Sequence, residues 1–209
     1  MPTLTHSYFS GPSETGIIRR TIGDYLDDIC QRYPDNEALV VRHQGVRWTY
    51  SEFKREIDRL ATGLLALGIE PGDRVGIWGP NSAEWALVQY ATASIGAIMV
   101  CINPAYRLHE LEYALNKVEC RAIVTAESFK TSDYLGMLQE LAPELADCEP
   151  GKLRSGTFRH LEMVVRMGDE KTPGMLNFVD VCNQGGEQHY QQLQVIKATL
   201  DPDDAINIQ

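Results

Sequence analysis

Val75-Gly76-Ile77-Trp78-Gly79-Pro80-Asn81-Ser82 decides how the rest of the chain is read. Four residues without polar alternation make a strand buried on both faces. The Gly-Pro pair ends it, and Asn81 or Ser82 caps a helix that runs to about residue 95. A second strand follows over residues 98–102, where Ile98, Met99, Val100, Cys101 and Ile102 form an apolar, partly β-branched run. The alternation continues with a helix over 107–118, its Leu108, Leu111, Leu115 and Val118 on one face, a strand over 122–125, and a helix over 131–144. Three βα units in succession predict an α/β fold built on a mainly parallel sheet flanked by helices.

Upstream, the pattern changes. Ile22, Tyr25, Leu26, Ile29 and Tyr33 recur at helical spacing behind Thr21 as N-cap and Asp24 as its capping-box partner. After the Pro34-Asp35-Asn36 turn, residues 38–42 and 46–49 flank His43-Gln44-Gly45 and predict a β-hairpin. Thr49 and Glu52 form a second capping box. Phe53, Ile57, Leu60, Ala61 and Leu64 mark the apolar face of the helix behind it, and Gly68 stands where its C-terminal cap belongs. Downstream, residues 148–159 lack periodicity and predict a surface excursion. A strand over 161–166, a turn over 171–174, a helix over 185–193 and a buried strand over 205–208 follow. Residues 1–20 read as a loose leader draped on the surface, and 21–209 as one incomplete domain.

Composition narrows the function classes. With 44% hydrophobic and 23% charged residues the 209-residue chain is globular, and its net charge of −10 excludes a nucleic-acid partner. Residues 85–106 carry no charge, but Gln89, Thr92, Ser94, Gly96, Asn103 and Pro104 interrupt them, so a buried helix and strand are expected rather than a transmembrane segment. Five cysteines with no C-x-x-C spacing fit neither a disulfide framework nor a zinc knuckle, which predicts a reducing, cytoplasmic setting.

No self-contained catalytic signature is present. The sequence has no G-x-x-x-x-G-K-[ST], no G-x-G-x-x-G and no G-x-S-x-G, and the turn at Gly79 to Ser82 reads as a helix cap rather than an anion cradle. His6, His43, His109, His160 and His189 lie at no metal-ligand spacing, so no metal ligand is expected. Cys101 and Cys120 fall in or beside strands, as small core residues do. Asp27-Asp28 and Glu110 with Glu112 read as solvated faces. Trp48 and Tyr50 read as packing for the hairpin.

An ordered series of segments carries further information: Trp48-Thr49-Tyr50-Ser51-Glu52-Phe53, Pro71-Gly72-Asp73-Arg74-Val75-Gly76-Ile77, residues 81–85, residues 96–107 with Asn103-Pro104-Ala105-Tyr106-Arg107 at their end, Glu110-Leu111, and Asp203-Asp204-Ala205-Ile206-Asn207-Ile208-Gln209. In this order and spacing the chain resembles the adenylate-forming superfamily of acyl-CoA synthetases, luciferases and peptide-synthetase adenylation domains, and above all the fatty acyl-CoA synthetases.

The resemblance implies a two-step ligase. ATP and a carboxylic acid give an acyl-adenylate and pyrophosphate, and CoA then displaces AMP, with magnesium and backbone amides holding the phosphates. It also implies that residues 21–209 are the N-terminal portion of such an enzyme, ending before its Ser/Thr/Gly-rich phosphate loop and inactive alone. No catalytic residue is therefore assigned. Carried over position by position, a CoA-facing surface falls on Asn103, Pro104 and Tyr106, and on Ser128, Phe129 and Lys130 in the turn after the 122–125 strand. Lys130 is a cation suited to a CoA phosphate. Two alternatives stay open: a self-contained module that binds CoA or a nucleotide without chemistry, and an assembly role in which an exposed strand edge builds a homo-oligomer.

Overall fold

The computed structural model describes Gly16 and residues 18–209, so most of the expected leader lies outside the described residues. Helix α1 (Ile22–Arg32) starts at Thr21, whose side chain accepts from the Asp24 amide. Strands β1 (Glu37–Val41) and β2 (Val46–Thr49) form the expected antiparallel hairpin. Helix α2 (Tyr50–Ala66) begins with a reciprocal capping box: the Glu52 amide donates to the Thr49 hydroxyl at 3.2 Å, and the Thr49 amide donates to the Glu52 carboxylate at 2.9 Å. At its far end Gly68 takes φ +83°, the left-handed conformation that glycine adopts without steric cost.

The three βα units are β3 (Arg74–Trp78) with α3 (Ala83–Ser94), β4 (Ile98–Cys101) with α4 (Leu108–Lys117), and β5 (Cys120–Thr125) with α5 (Tyr134–Leu141). Between β5 and α5 lies a small antiparallel hairpin, β6 (Ser128–Phe129) and β7 (Ser132–Asp133). The chain continues through β8 (Met163–Arg166), β9 (Leu176–Asn177), α6 (Phe178–Cys182), α7 (Glu187–Lys197) and β10 (Asn207–Ile208). The main sheet has the order β10-β4-β3-β5-β8-β9, with every pair parallel.

Side-chain alternation sorts the core into two layers. Val75, Ile77, Met99, Ala122, Val124, Met163 and Val165 pack with α1, α2, α3, α6 and α7. Val100, Ile123 and Val164 pack on the other face with α4 and α5. Leu60, Leu64, Leu111 and Leu115 are almost fully buried, and each contributes about 2 kcal/mol of transfer free energy. Trp48 and Tyr50 pack against the first layer, as expected.

Three expectations need correction. The helix expected over 131–144 begins at Tyr134, because Ser132 and Asp133 pair with the preceding strand and Asp133 caps α5 through the Gly136 amide at 2.9 Å. The excursion over 148–159 is anchored inward by Leu153 and Phe158, both buried. The strand expected to be buried at 205–208 is β10, whose two residues are exposed: it is the outermost strand of the sheet, beside β4. Pairing alone does not bury side chains at a sheet edge.

Candidate functional site

Strand order fixes where a ligand can approach. From β3 the chain crosses through α3 to β4 on one side; from β4 it crosses back through α4, past β3, to β5. Right-handed crossovers in opposite directions place α3 and α4 on opposite faces, as the two core layers record. The loops leaving β3 and β4 therefore diverge at the carboxyl edge, and in open α/β sheets such a switch point is where ligands bind.

The β3 loop offers little there. Ser82 accepts from the Trp85 amide at 3.2 Å, and Gln44, from the β1–β2 hairpin, accepts from the Ala83 amide at 2.7 Å while donating to Glu84 at 2.7 Å. Two amides of the first turn of α3, those of Ala83 and Trp85, are thus engaged by side chains, and Ser82 serves as a helix cap.

The β4 loop and the β6–β7 hairpin come together. Asn103 makes an Asx turn, its side-chain oxygen accepting from the Ala105 amide at 2.9 Å, and its carbonyl accepts from the Trp78 indole at 3.1 Å. The Pro104 carbonyl accepts from the Tyr134 hydroxyl at 2.9 Å, and the Tyr134 ring stacks on Trp78 at 3.9 Å between centroids. Tyr106 and Phe129 pack on the same core layer. Arg107 donates to the Ser132 hydroxyl at 2.9 Å and so ties the loop to the hairpin. Lys130 occupies the hairpin tip with φ +55°, its ammonium 5.3 Å from the Phe129 ring centroid. Ser128 and Lys130 are exposed. All six sequence-predicted residues thus lie on two adjoining loops at one edge.

Sequence reasoning passed over Arg107, Trp78 and Tyr134 in this arrangement. Arg107 stood in a quoted motif, but its bond to a residue 25 positions away has no local signal. Two cations, Lys130 and Arg107, stand on these loops, and Arg107 shares a depression with Glu110, Glu112 and Glu140. Among the described residues neither Lys130 nor Arg107 has a carboxylate within ion-pair distance, while the two acids bracketing the hairpin are engaged: Asp133 caps α5, and Glu127 accepts from Arg166 at 3.0 Å. Glu110 is engaged too, its carboxylate accepting from the Arg107 amide at 3.2 Å. Among the described residues no group of three or more His, Cys, Asp or Glu side chains is placed to hold a metal ion.

The chain as a whole is similar to known proteins. Medium-chain acyl-CoA ligase ACSF2, mitochondrial, of Danio rerio is 44% identical over 209 residues, covering 100% of this chain and 34% of the relative. The protein of the same name from Homo sapiens is 43% identical over 97% of this chain and 33% of its own length. This chain therefore spans about a third of the length of these curated relatives. The crystal structure of the anthranilate CoA ligase AuaEII in complex with anthranoyl-AMP superposes with a TM-score of 0.67 at 20% identity, over 91% of this chain and 31% of that one, a likeness of fold. A family model described as AMP-binding enzyme matches residues 26–209, from within α1 through every strand of the main sheet to β10, and the chain accordingly belongs to the AMP-binding enzyme family.

Proposed function

We propose that residues 21–209 serve as the first part of the large N-terminal domain of an AMP-forming acyl-CoA ligase, and that the paired loops at the carboxyl edge face CoA. Family membership and relatives named as acyl-CoA ligases support the reaction class. The observation that carries the site is the cationic edge formed by Lys130 and Arg107 in a chain of net charge −10. There the two side chains meet a phosphate of CoA, while Asn103, Pro104 and Tyr106 form the wall along which the pantetheine arm runs. ATP supplies the activating adenylyl group and magnesium offsets phosphate charge. No phosphate-loop motif is read in the sequence, so no adenylation step is assigned to these residues. The acid is proposed to be a fatty acid, and a medium-chain one is the first to test, since the relatives are named for it.

For the compartment the proposal is a reducing one. All five cysteines are free, and the named relatives are mitochondrial where sequence alone pointed to the cytoplasm. No helix among the described residues is long and apolar enough to cross a membrane. A second reading, an assembly module, draws on the exposed β10 edge, where Ile208 is 39% exposed; a monomeric mass in sedimentation excludes it.

Two measurements test the leading reading. The 209-residue chain should show no ATP–pyrophosphate exchange with octanoate, and turnover by it would overturn the assignment. In a ligase chain containing these residues, Lys130→Ala should raise the KM for CoA roughly threefold to tenfold, the loss of one exposed charge-assisted contact, and leave the KM for ATP near its starting value.

A further inference from the structure

Arg166 ends β8 on the α4 and α5 side of the sheet, next to the end of β5, where it pairs with Thr125. Its side chain is only 6% exposed. One terminal nitrogen donates to Glu127 and to Glu170, each at 3.0 Å, and the other donates to the Thr172 hydroxyl at 2.7 Å. Its Nε is buried without a partner among the described residues. Withdrawing a guanidinium from water is costly, and the partners do not return that cost in stability, because Glu127 is 62% exposed and Glu170 is 80% exposed. An apolar side chain of similar volume would fill the same space. What arginine adds here beyond its volume is charge, together with the bonds to Glu127, Glu170 and Thr172.

That charge is spent beside the proposed CoA-facing surface. Glu127 leads directly into β6, and its carbonyl accepts from the Tyr134 and Leu135 amides where α5 begins, so the residue is fixed at the base of the hairpin that carries Lys130. Left alone, the Glu127 carboxylate would repel the anion that Lys130 and Arg107 are placed to meet. We propose that Arg166 is a positioning residue for this surface: it binds Glu127, holds the base of the hairpin, and withdraws a negative charge from the path of the CoA phosphates. The inference rests on the reading of that edge as CoA-facing.

The test is the KM for CoA, ATP and acid in a ligase chain containing these residues, at low and high salt, for Arg166→Met, Glu127→Gln, the double variant and Lys130→Ala. Arg166→Met should raise the KM for CoA about threefold at low ionic strength, as an uncompensated charge near a phosphate does, with the difference shrinking near about 0.5 M salt. The KM for ATP should move much less. Adding Glu127→Gln to Arg166→Met should restore the KM for CoA, which a packing defect would not permit. A raised KM that the second substitution fails to rescue overturns the proposal. So does an unchanged KM in Arg166→Met, and if Lys130→Ala raises it in the same assay, the CoA-facing reading survives that failure. No effect from either residue overturns both. Thermal melting reports folding, and Arg166→Gln replaces Arg166→Met if the latter melts below the assay temperature.

Discussion

Cys120 shows how a single buried group sets a pH limit. Burial pushes its thiol up from 9.0 to about 12, and burial pushes Cys182 up to about 11. Both side chains hold their protons in the fold at pH values where the unfolded chain loses them. The stability they contribute is therefore complete below pH 9 and declines as pH rises towards 11 and 12. Urea midpoints should be level up to about pH 9 and fall above it, with a shallower alkaline slope in Cys120→Ala despite its lower starting point. Equal slopes in the two proteins would remove Cys120 as a cause. The sequence indicated this inertness, since a cysteine within an apolar strand is a core residue. It gave no sign of Arg166, whose partner Glu127 lies 39 positions away. An arginine at the end of Met163-Val164-Val165 reads as a strand terminus, and only the folded chain shows that a carboxylate waits there.

Among the elements, those with a strong local period were legible. Helix α2 carries its cap, its apolar face and its terminal glycine in consecutive sequence, and β3, β4 and β5 are apolar runs between breakers. The β6–β7 hairpin was not. Its strands have two residues each, and its turn places Lys130 rather than glycine or asparagine in the left-handed region, so the usual turn signal is missing. Helix α6 is five residues long and packs against α2, which makes it a product of tertiary contact rather than propensity. That contact offers a sharp test. A Cβ added at Gly63 in α2 would stand 2.0 Å from the carbonyl oxygen of Val181 in α6, so the two backbones must part to admit it. Gly63→Ala should lose about 1–3 kcal/mol despite the better helix propensity of alanine. A stability gain in urea titration would show that α6 is not held this tightly.

Across the whole molecule, stability and exposure divide along the order of the sheet. β3 lies between β4 and β5, and Val75, Ile77 and Trp78 are completely buried, as are Ile123 and Val164 in the strands beyond. Freeing an amide from β3 or β5 requires separating helical layers from both faces. β10 is joined to the sheet on one side alone, through pairs such as the Met99 amide donating to the Ile206 carbonyl at 2.9 Å, and both its side chains are exposed. Opening it breaks a few hydrogen bonds and uncovers little apolar surface, so it should exchange by local opening while the centre exchanges only when the whole chain unfolds. Hydrogen exchange by NMR should find amides of residues 75–78 and 122–125 slower than those of 207–208 by at least about a hundredfold. A denaturant series should change the central rates steeply and the β10 rates hardly at all. Rates at β10 as slow as those of β3 would mean that its outer edge is covered in solution, and a doubled mass under the same conditions would identify a second copy of the chain as the cover.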